Sequence, residues 1–292
     1  MRIAVVSHIA IDHIQSSGVN TITVGGPPCY GGLMIKSLSH DMNLVTKIGK
    51  DFNYKDVLSK KGLIISDNCI SDKPTTRFKI VINGNKRKFF LLARCADITI
   101  DDFDVDSDAC IISPIINEIS SDVVSKISKR TNFTFIDPQG FIRKVRDDGY
   151  CYIDKTIMDF TKLNIDAIKI DREEAFALTG LYSTDALYKL PVKTVIMTVD
   201  NRTLMMHNQH LYEITTDVIH NKDSTGAGDI LAGAYTSAFV QTNDAQWALS
   251  YGVAASVTAL RTNKLGIEKI PLRKDVEEYA STLYNRIRTV TT

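Results

Sequence analysis

The feature that most constrains the fold is a set of short apolar runs spaced along most of the chain. They are rich in valine and isoleucine and apolar on both faces, as is typical of a parallel sheet covered by helices on each side. The runs are 3–7, 44–48, 110–116, 133–136, 167–170 and 195–199. Helical patterns alternate with them, for example at 32–39 and 173–178. This alternation predicts a doubly wound, mainly parallel α/β sheet with helices on both faces, in a single domain over residues 1–292.

Residues 75–93 depart from this pattern and are typical of two strands joined by a tight turn. The turn is Asn83-Gly84-Asn85, and Asn-Gly is the strongest short-range signal for a β-hairpin. A hairpin inserted into an α/β chain can act as a lid over a ligand cleft, or it can decorate the edge of the main sheet. The pattern leaves both interpretations open. The basic run 85–88 beside the turn indicates a solvated hairpin tip.

The overall composition excludes several classes of partner. The chain has 292 residues and a net charge of +1, so no strong field attracts nucleic acid or a membrane surface. The N-terminal run 1–14 is too short to span a bilayer and has no signal-type cleavage site. The five cysteines are scattered without metal-like spacing. The acidic run 101–108 indicates a solvated loop. We therefore expect a cytoplasmic protein without nucleic acid or membrane partners.

A glycine-containing turn directly precedes an apolar helix in the C-terminal third of the chain. Within 223–229, Gly226 and Gly228 flank Ala227, and Asp229 follows. The first N–H groups of a helix lack intrahelical partners, the helix dipole adds positive charge, and glycine lets an anion approach closely. Such a turn suits a phosphoryl group in transfer, with Asp229 taking a proton late, although a free carboxyl group has a pKa of about 4. The alternative is an ordinary helix start with an acidic first turn.

The string DSTGAGD at 223–229 resembles the C-terminal signature of the ribokinase-type (PfkB) carbohydrate kinases, D-T-x-G-A-G-D. The resemblance implies that residues 226–228 form an anion hole and that Asp229 is the catalytic base. It further implies that Thr225 and Gly228 contact the nucleotide. In that family the phosphoryl donor is ATP and the metal is Mg²⁺, so both are expected cofactors here.

The N-terminal part of the chain resembles the acceptor site of the same family. The family has an aspartate after its first strand and then a Gly-Gly pair, and Asp12, Gly25 and Gly26 stand at the corresponding positions. The resemblance implies that they bind hydroxyl groups of the acceptor. Tyr30 stands where the family has asparagine, which argues against ribose-like recognition and adds an aromatic residue to the expected acceptor site. Without the resemblance, Gly-Gly-Pro-Pro is an ordinary turn before a helix.

Further strings resemble the nucleotide and metal site of the family. Asp171 and Glu174 correspond to its N-x-x-E motif, which organises magnesium, here expected through water. The same pair is also a helix capping box, and both roles can hold together. The resemblance assigns nucleotide contacts to Asp171, Thr198, Asp200, Ala255 and Gly266. Small residues around Ala255 are equally typical of a tight helix-packing face.

A closer resemblance lies in the string DPQGFIR at 137–143, which is similar to an archaeal branch of the family that includes myo-inositol kinases. It implies that Gln139 binds a polyol hydroxyl group and that Arg143 pairs with a phosphate, since its planar fork suits one. The family also implies lid strands inserted at about 11–24 and 74–94. A homodimer formed through this lid stays open.

The expected function is ATP-dependent phosphorylation of a small polyol, sugar or nucleoside, with myo-inositol or a related polyol first. A nucleoside kinase is an alternative, in which Tyr30 or Phe78 contacts the base. A catalytically idle ligand-binding protein of the same fold is another, and the intact Asp229 argues against it. A dinucleotide-binding oxidoreductase has little support. No G-x-G-x-x-G motif follows the first apolar run, where the sequence continues as Ser7-His8-Ile9-Ala10.

Overall fold

The computed structural model describes residues 1–16, 18–83, 86–156, 158–219, 223–262 and 264–290. The predicted turn residues Gly84 and Asn85 lie outside these ranges. In chain order the strands are β1 (Arg2–Val6), β2 (Ala10–Ser16), β3 (Val19–Gly25), β4 (Asp41–Val45), β5 (Ile48–Gly49), β6 (Ile70–Ser71), β7 (Thr76–Asn83), β8 (Lys86–Ala93), β9 (Ala109–Ile112), β10 (Phe133–Ile136), β11 (Arg143–Val145), β12 (Tyr150–Ile153), β13 (Ala167–Asp171), β14 (Thr194–Val199), β15 (Arg202–His207), β16 (His210–Thr215) and β17 (Arg288–Val290).

Helices connect most of these strands. The α-helices are α1 (Leu33–Ser37), α2 (Lys55–Ser59), α3 (Ser121–Ser128), α4 (Gln139–Ile142), α5 (Arg172–Thr179), α6 (Ala186–Lys189), α7 (Ala227–Thr242), α8 (Ala245–Arg261) and α9 (Arg273–Tyr284). A π-helix spans Pro28–Gly32, and short 3-10 helices span Asp67–Cys69, Ile100–Asp102, Phe160–Lys162 and Gly266–Lys269.

The main sheet contains, among the described residues, nine strands in the order β17-β16-β15-β14-β13-β10-β9-β1-β4. The strands from β14 to β4 run parallel, whereas β15, β16 and β17 add an antiparallel edge. Five of the apolar runs found in the sequence coincide with or overlap β1, β9, β10, β13 and β14. The sixth, 44–48, is divided between β4 and β5. The predicted mainly parallel, doubly wound sheet is therefore confirmed.

Helices cover both faces of the main sheet because its strands are apolar on both sides. In β1, Ile3 and Val5 belong to a core shared with α7, α8 and α9, whereas Ala4 and Val6 belong to a core shared with α3, α5 and α6. This division follows from the alternation of side chains along a strand. Full burial of each such valine or isoleucine contributes about 1.5–3 kcal/mol, so both layers hold the sheet in place.

The second sheet, called the small sheet below, has its described strands in the order β11-β12-β8-β7-β2-β3. Strands β2 and β3 follow β1, and β11 follows β10 and α4, so the small sheet grows out of the carboxyl-end edge of the main sheet. Ligands bind at this edge in open α/β folds. Strands β2, β3, β7 and β8 occupy the two intervals where lid strands were expected, whereas β11 and β12 were not predicted.

One face of the small sheet is apolar and the other is open. Along β7 every second residue is buried, and Phe78, Ile80 and Ile82 pack with Ile115 and Ile116 from the main body. The alternation is that of a strand with a single buried face. The small sheet thus packs against the main body with its apolar side inward.

A polar junction anchors the start of β7. The Oδ1 atom of Asp51 accepts hydrogen bonds from the backbone N–H of Thr75 at 2.9 Å and from its hydroxyl at 2.8 Å, and Oδ2 lies 2.5 Å from a guanidinium nitrogen of Arg77. A Cβ atom on Gly49 would come within 2.6 Å of the Thr75 nitrogen, so glycine is needed beside this junction. The junction ties the small sheet to the loop after β5.

The acidic run contains paired side chains as well as loop. Asp102 lies in the 3-10 helix Ile100–Asp102 and forms an ion pair with Lys47 at 2.6 Å, and Asp106 pairs with Arg2 at 2.6 Å. Over the described ranges no group of three or more histidine, cysteine or acidic side chains is arranged to hold a metal ion. Within the same ranges no helix combines the length and the apolar character needed to cross a membrane.

Candidate active site

The turn before α7 is packed directly on an aromatic ring. Gly226 is the N-cap of α7 and has φ +76°, a conformation that glycine adopts without strain. A Cβ atom on Gly226 would overlap the ring of Tyr30, so the backbone of the turn rests on that ring. The turn therefore has a rigid floor, and the N–H groups at the start of a long helix lie above it.

Tyr30 has a different role from the one that the sequence suggested. It was expected to contact the acceptor, but it lies in the π-helix Pro28–Gly32 with 1% of its surface exposed. Gly226 covers its ring, and the Nζ atom of Lys269 lies 5.3 Å from the ring centroid. Among the described residues its hydroxyl group has no hydrogen-bond partner. Tyr30 supports the turn instead of lining the acceptor pocket, because the space in front of its ring is filled.

A buried ion pair holds the first residue of the DSTGAGD string. Lys269 Nζ lies 3.1 Å from Oδ2 of Asp223 and also donates to the carbonyl oxygen of Asp223 at 3.3 Å. Oδ1 of Asp223 accepts the backbone N–H of Thr225 at 2.9 Å. Burial alone would raise the pKa of Asp223, but the ammonium group and these hydrogen bonds lower it, so the carboxyl group is ionised. The sequence analysis had given Lys269 no role.

Two carboxyl groups, Asp12 and Asp229, hold protons unusually tightly. Burial is the main cause, and it raises the pKa of each to about 7. Nearby carboxylates add to the effect at both positions, whereas the guanidinium of Arg143 opposes it at both. A base with a pKa near the working pH is effective in proton transfer. Asp229 is thus better suited to act as a base than the free aspartate considered from the sequence.

Glycine at the two positions predicted for the acceptor site lets other parts of the chain lie directly against the backbone. A Cβ atom on Gly25 would overlap the carboxyl group of Asp12, which therefore lies against bare backbone. Gly26 has φ +90°, and a Cβ atom there would come within 2.5 Å of the carbonyl oxygen of His8. Gly25 lies against Asp12 on β2 and Gly26 lies against the segment before β2, and Asp12 supplies the polar group.

Gln139 and Arg143 form one unit beside these carboxyl groups. Arg143 donates from Nη1 to the carbonyl oxygen of Ile115 at 2.6 Å and from Nη2 to Oε1 of Gln139 at 3.2 Å. Its guanidinium carbon lies 5.8 Å from the ring centroid of Phe78 and 5.4 Å from that of Phe89. The side chain is therefore held from several sides, and the unit can still offer the amide N–H groups of Gln139 and the remaining N–H groups of the guanidinium as donors.

A cleft of about 990 Å³ runs past the start of α7. Its polar lining includes Lys169, Asp171, Thr198, Asp200 and Ser224, and Ala227 and Gly228 at the start of α7 also line it. Its apolar lining includes Ile82, Val218, Ile219, Leu231, Val253, Val257 and Leu260. Asp171, Thr198, Asp200 and Gly228, for which the resemblance implies nucleotide contacts, line this cleft, and their nucleotide contacts stay a prediction. Asp200 has φ +53°, a conformation that favours glycine, and it stands where the resemblance expects glycine.

Two predicted nucleotide contacts lie elsewhere. Ala255 is completely buried in the core, whereas Val253, Ser256 and Val257 on the same helix line the cleft. One face of a helix repeats every three or four residues, so a shift of one position moves a side chain from the cleft to the core. Gly266 has φ +56°, and a Cβ atom there would come within 2.8 Å of Oγ1 of Thr23. It packs against β3 and not against the cleft.

The predicted metal motif forms a capping box at the start of α5. Oδ1 of Asp171 accepts the N–H of Glu174 at 2.9 Å, and Oε2 of Glu174 accepts the N–H of Asp171 at 2.7 Å. Glu174 is 5% exposed and lies 3.6 Å from Nζ of Lys169, so its carboxylate does not reach the cleft directly. Asp171 lines the cleft. Hard oxygen atoms of this kind suit Mg²⁺ and its water shell.

Lys169 is a buried cation that the sequence analysis missed. It lies in β13 between Asp137 at 3.2 Å and Glu174 at 3.6 Å, and a Cβ atom on Gly228 would come within 3.0 Å of its Nζ atom. Although burial lowers the pKa of Lys169, the two carboxylates outweigh it and raise the pKa. A positive charge therefore lies directly behind residues 226–228, which are called the anion turn below after the role that the resemblance implies. The only signal in the sequence was a lysine inside an otherwise apolar strand.

Arg87 is a second cation that reaches the same turn. It lies on β8 in the basic run that indicated a solvated hairpin tip, but its guanidinium donates to Oγ of Ser224 and, at 3.5 Å, to Oγ1 of Thr225. The expectation was wrong for this residue because the hairpin folds back over the cleft. Thr225 contacts Arg87 and Asp223 in this structure, and its nucleotide contact stays a prediction.

Comparison with known families identifies the class of protein. A sequence model described as pfkB family carbohydrate kinase matches residues 20–270, which is well over half of the chain. The chain belongs to this family. The resemblance seen in its sequence motifs is confirmed, and the PfkB protein is a phosphotransferase with a hydroxyl group as acceptor.

Solved structures with a similar fold are kinases for several acceptors. A pyrophosphate-dependent kinase in the ribokinase family, complexed with a pyrophosphate analogue and myo-inositol, has a TM-score of 0.80 and 20% identity, covering 95% of this chain and 99% of that chain. The ribokinase of Thermotoga maritima has a TM-score of 0.74 and 21% identity, covering 96% and 99%. The nucleoside kinase of Methanocaldococcus jannaschii has a TM-score of 0.69 and 18% identity, covering 96% and 98%. At these identities the similarities establish the ribokinase-like fold of this PfkB protein.

Proposed function

We propose that this PfkB protein transfers the γ-phosphoryl group of ATP to a hydroxyl group of a small polyol, with myo-inositol or a related cyclic polyol as acceptor. The observation that carries the proposal is the position of Asp229 in the first turn of α7. It has a pKa of about 7 and follows directly after the anion turn. Asp12, with the same raised pKa, and Arg143 are charged groups close enough to influence it.

In the proposed mechanism, Asp229 takes the proton of the attacking hydroxyl group while Asp12 and Gln139 hold the acceptor. The backbone N–H groups of the turn and the start of α7 stabilise the phosphoryl group as its charge is redistributed. Lys169 adds positive charge from behind Gly228. The turn sits on the ring of Tyr30, so these donors need little rearrangement when charge develops.

Asp171 is the carboxylate placed to hold a magnesium ion in the cleft, through water, with Glu174 fixing its orientation from behind. Bound magnesium would neutralise charge on the donor phosphates. We propose Asp171 as the cleft-facing partner of the metal and Glu174 as its support.

The apolar part of the cleft favours a nucleotide as donor. Val218, Ile219 and Leu260 give the cleft an apolar surface that adenine would bury, and the core residues Val253 and Val257 continue its apolar lining. Pyrophosphate, the donor named for one of the structurally similar kinases, is fully charged and gains nothing from such a surface. Both the cleft volume and its lining therefore support ATP as the donor of this protein.

The acceptor end is polar, which supports a polyol over a nucleoside. A nucleoside base needs an exposed aromatic or apolar surface. The ring of Tyr30 is covered by Gly226, and the rings of Phe78 and Phe89 lie next to the guanidinium of Arg143. What remains near Asp229 is a set of hydrogen-bonding groups that match hydroxyl groups. A site in the reducing cytoplasm is proposed too, since all five cysteines are buried and free.

The test is ADP release by purified protein with magnesium and ATP, across myo-inositol, ribose, fructose, cytidine and adenosine, with a parallel panel in which pyrophosphate replaces ATP. Asp229→Asn is measured beside Asp275→Asn, an exposed acidic residue in the first turn of α9. We expect turnover with ATP and a polyol, a loss of about 10²–10⁴-fold in kcat for Asp229→Asn, and wild-type activity for Asp275→Asn.

The outcomes separate the proposals. Turnover with pyrophosphate and not with ATP would overturn the donor, and turnover with cytidine or adenosine alone would overturn the acceptor. Equal activity of Asp229→Asn and wild type would overturn the role of the base. If no acceptor is turned over while wild type and Asp229→Asn bind the same small ligand equally well, the protein is a binder and not a kinase.

A further inference from the structure

Arg87 connects the small sheet to the anion turn. It lies on β8, and its two hydrogen-bond partners, Ser224 and Thr225, lie 137 and 138 positions later in the sequence. These partners come directly before Gly226, the N-cap of α7. A single side chain therefore spans from the small sheet to the place where the phosphoryl group is proposed to bind.

Strand register shows that Arg87 projects from the cleft face of the small sheet. Ile82 is opposite Arg87 in the β7–β8 ladder, and Ser16 is opposite Ile82 in the β2–β7 ladder. Ser16 and Ile82 both line the cleft, and residues directly opposite each other in a sheet share a face. The neighbouring Lys88 projects to the other face and is exposed. Lys88 is therefore a matched control for Arg87, since it is a neighbouring basic residue that does not face the cleft.

The guanidinium of Arg87 has more binding capacity than its present partners use. Two neutral hydroxyl groups accept from it, although a guanidinium has five N–H donors in a planar fork that fits phosphate. Among the residues that the structure describes, no carboxylate lies within ion-pair distance of it; the buried carboxylate of Asp223 is paired with Lys269. Burial lowers the pKa of Arg87, which reflects a charge held at a partly desolvated site. An anion at the turn would complete this environment.

We propose that Arg87 is a catalytic residue that binds the phosphoryl group during its transfer. The proposal rests on the phosphotransferase function proposed above and deepens it. As the bond between phosphorus and the acceptor oxygen forms and the bond to the donor oxygen breaks, the proton of the acceptor goes to Asp229. The guanidinium of Arg87 leaves the hydroxyl groups of Ser224 and Thr225 and donates instead to phosphoryl oxygens. It stays protonated and takes no part in the proton transfer. Because it lies on the small sheet, its charge reaches the turn only when this sheet covers the cleft.

The test compares Arg87→Met, Arg87→Lys and the control Lys88→Met with wild type. We measure kcat and KM for donor and acceptor, and the affinity for Mg·ADP with and without aluminium fluoride by calorimetry, since this complex mimics a phosphoryl group in transfer. We expect Arg87→Met to lower kcat by about 10²–10⁴-fold, as for other arginine residues and donors that stabilise the transferring group. It should weaken binding with aluminium fluoride at least 30-fold and binding of ADP alone less than about threefold. Arg87→Lys should recover part of both, and Lys88→Met should match wild type.

A purely structural Arg87, fastening the hairpin to Ser224, would give a different result. Arg87→Met would then change the melting temperature, or binding of ADP with and without aluminium fluoride equally, and leave kcat within about threefold of wild type. Either result overturns the proposal. Calorimetry with aluminium fluoride needs no turnover, so it decides the role of Arg87 even if every acceptor fails. Failure of wild type to gain affinity from aluminium fluoride would also overturn it.

Discussion

Among single residues, Asp12 and Asp229 keep their protons at a pH where exposed aspartates have lost them, because burial raises the pKa of each to about 7. Between the unfolded value of about 4 and this value the folded state binds more protons than the unfolded state. The free energy of unfolding therefore falls as the pH rises through this interval. Burial of these two carboxyl groups therefore lowers the stability of the protein near neutral pH, where the proposed mechanism needs a base.

The first prediction is that Asp12→Asn stabilises the protein at pH 8. The neutral amide removes the cost of a buried charge, and we expect a gain of about 1–3 kcal/mol, measured as a melting temperature higher by several degrees. The gain should shrink toward pH 5, where the folded wild-type carboxyl group is protonated. Asp275→Asn, on the exposed side of α9, should show no such pH dependence. An equal shift of the melting temperature at both pH values would contradict the assigned pKa.

The second prediction concerns the buried ammonium group of Lys269. Lys269→Met leaves the carboxylate of Asp223 buried beneath the anion turn without this cation, which costs about 3–5 kcal/mol for a buried pair. We expect a large drop in melting temperature and in kcat. The control is Lys61→Met, whose partner Glu268 is exposed, and whose loss should cost under about 1 kcal/mol. Equal effects of the two substitutions would argue against the special role of Lys269.

At the scale of helices and strands, the proposed use of ATP depends on the cleft face of α8. Ser256 lies between Val253 and Val257 on this face. We predict that Ser256→Trp fills the apolar surface and raises KM for ATP at least tenfold, while KM for the acceptor changes less than about threefold. Gln241→Trp, at an exposed position near the end of α7, is the control. An unchanged KM for ATP would mean that adenine binds elsewhere, or that the donor is smaller.

The elements that could be predicted from the sequence are those whose pattern is local. The run 133–136 matches β10, and 195–199 lies within β14, because continuous burial on both faces leaves a continuous apolar run. The run 110–116 is longer than β9, which ends at Ile112 two residues before Pro114, whose backbone has no N–H to donate. Strands β11 and β12 were missed because they are short and half-exposed. They become strands because β12 pairs with β8 and β11 pairs with β12.

The residues of the site also fall into two groups, those of one contiguous motif and those that meet it only in the folded chain. The string 223–229 is contiguous, so its glycines, its helix start and its aspartate could be found together in the sequence. Lys269 and Arg87 bind residues of this string that lie 46 and 137 positions away in the sequence, and Lys169 packs against Gly228 from β13, so no local pattern records those contacts. The raised pKa of Asp229 depends on burial by the whole fold, which a sequence motif does not show.

On the scale of the whole molecule, the main sheet and the small sheet contribute different residues to the cleft. The main sheet and its helices carry the turn before α7, the proposed base Asp229 and the cation Lys169. The small sheet supplies Asp12 from β2 and Arg87 from β8. Because the carboxylate proposed to bind the acceptor and the arginine proposed to bind the phosphoryl group lie on the same small sheet, movement of this sheet would bring the two functions together and would exclude water from the transfer.

The central claim is that this cleft transfers a phosphoryl group to a polyol with Asp229 as the base. The most direct measurement is phosphorus NMR of the products formed from ATP and myo-inositol by wild type, Asp229→Asn and Asp275→Asn. We predict one phosphate monoester formed for each ADP with wild type and Asp275→Asn, and a rate lower by at least about 10²-fold with Asp229→Asn. Release of inorganic phosphate without a monoester, or equal ester formation by wild type and Asp229→Asn, would contradict the account.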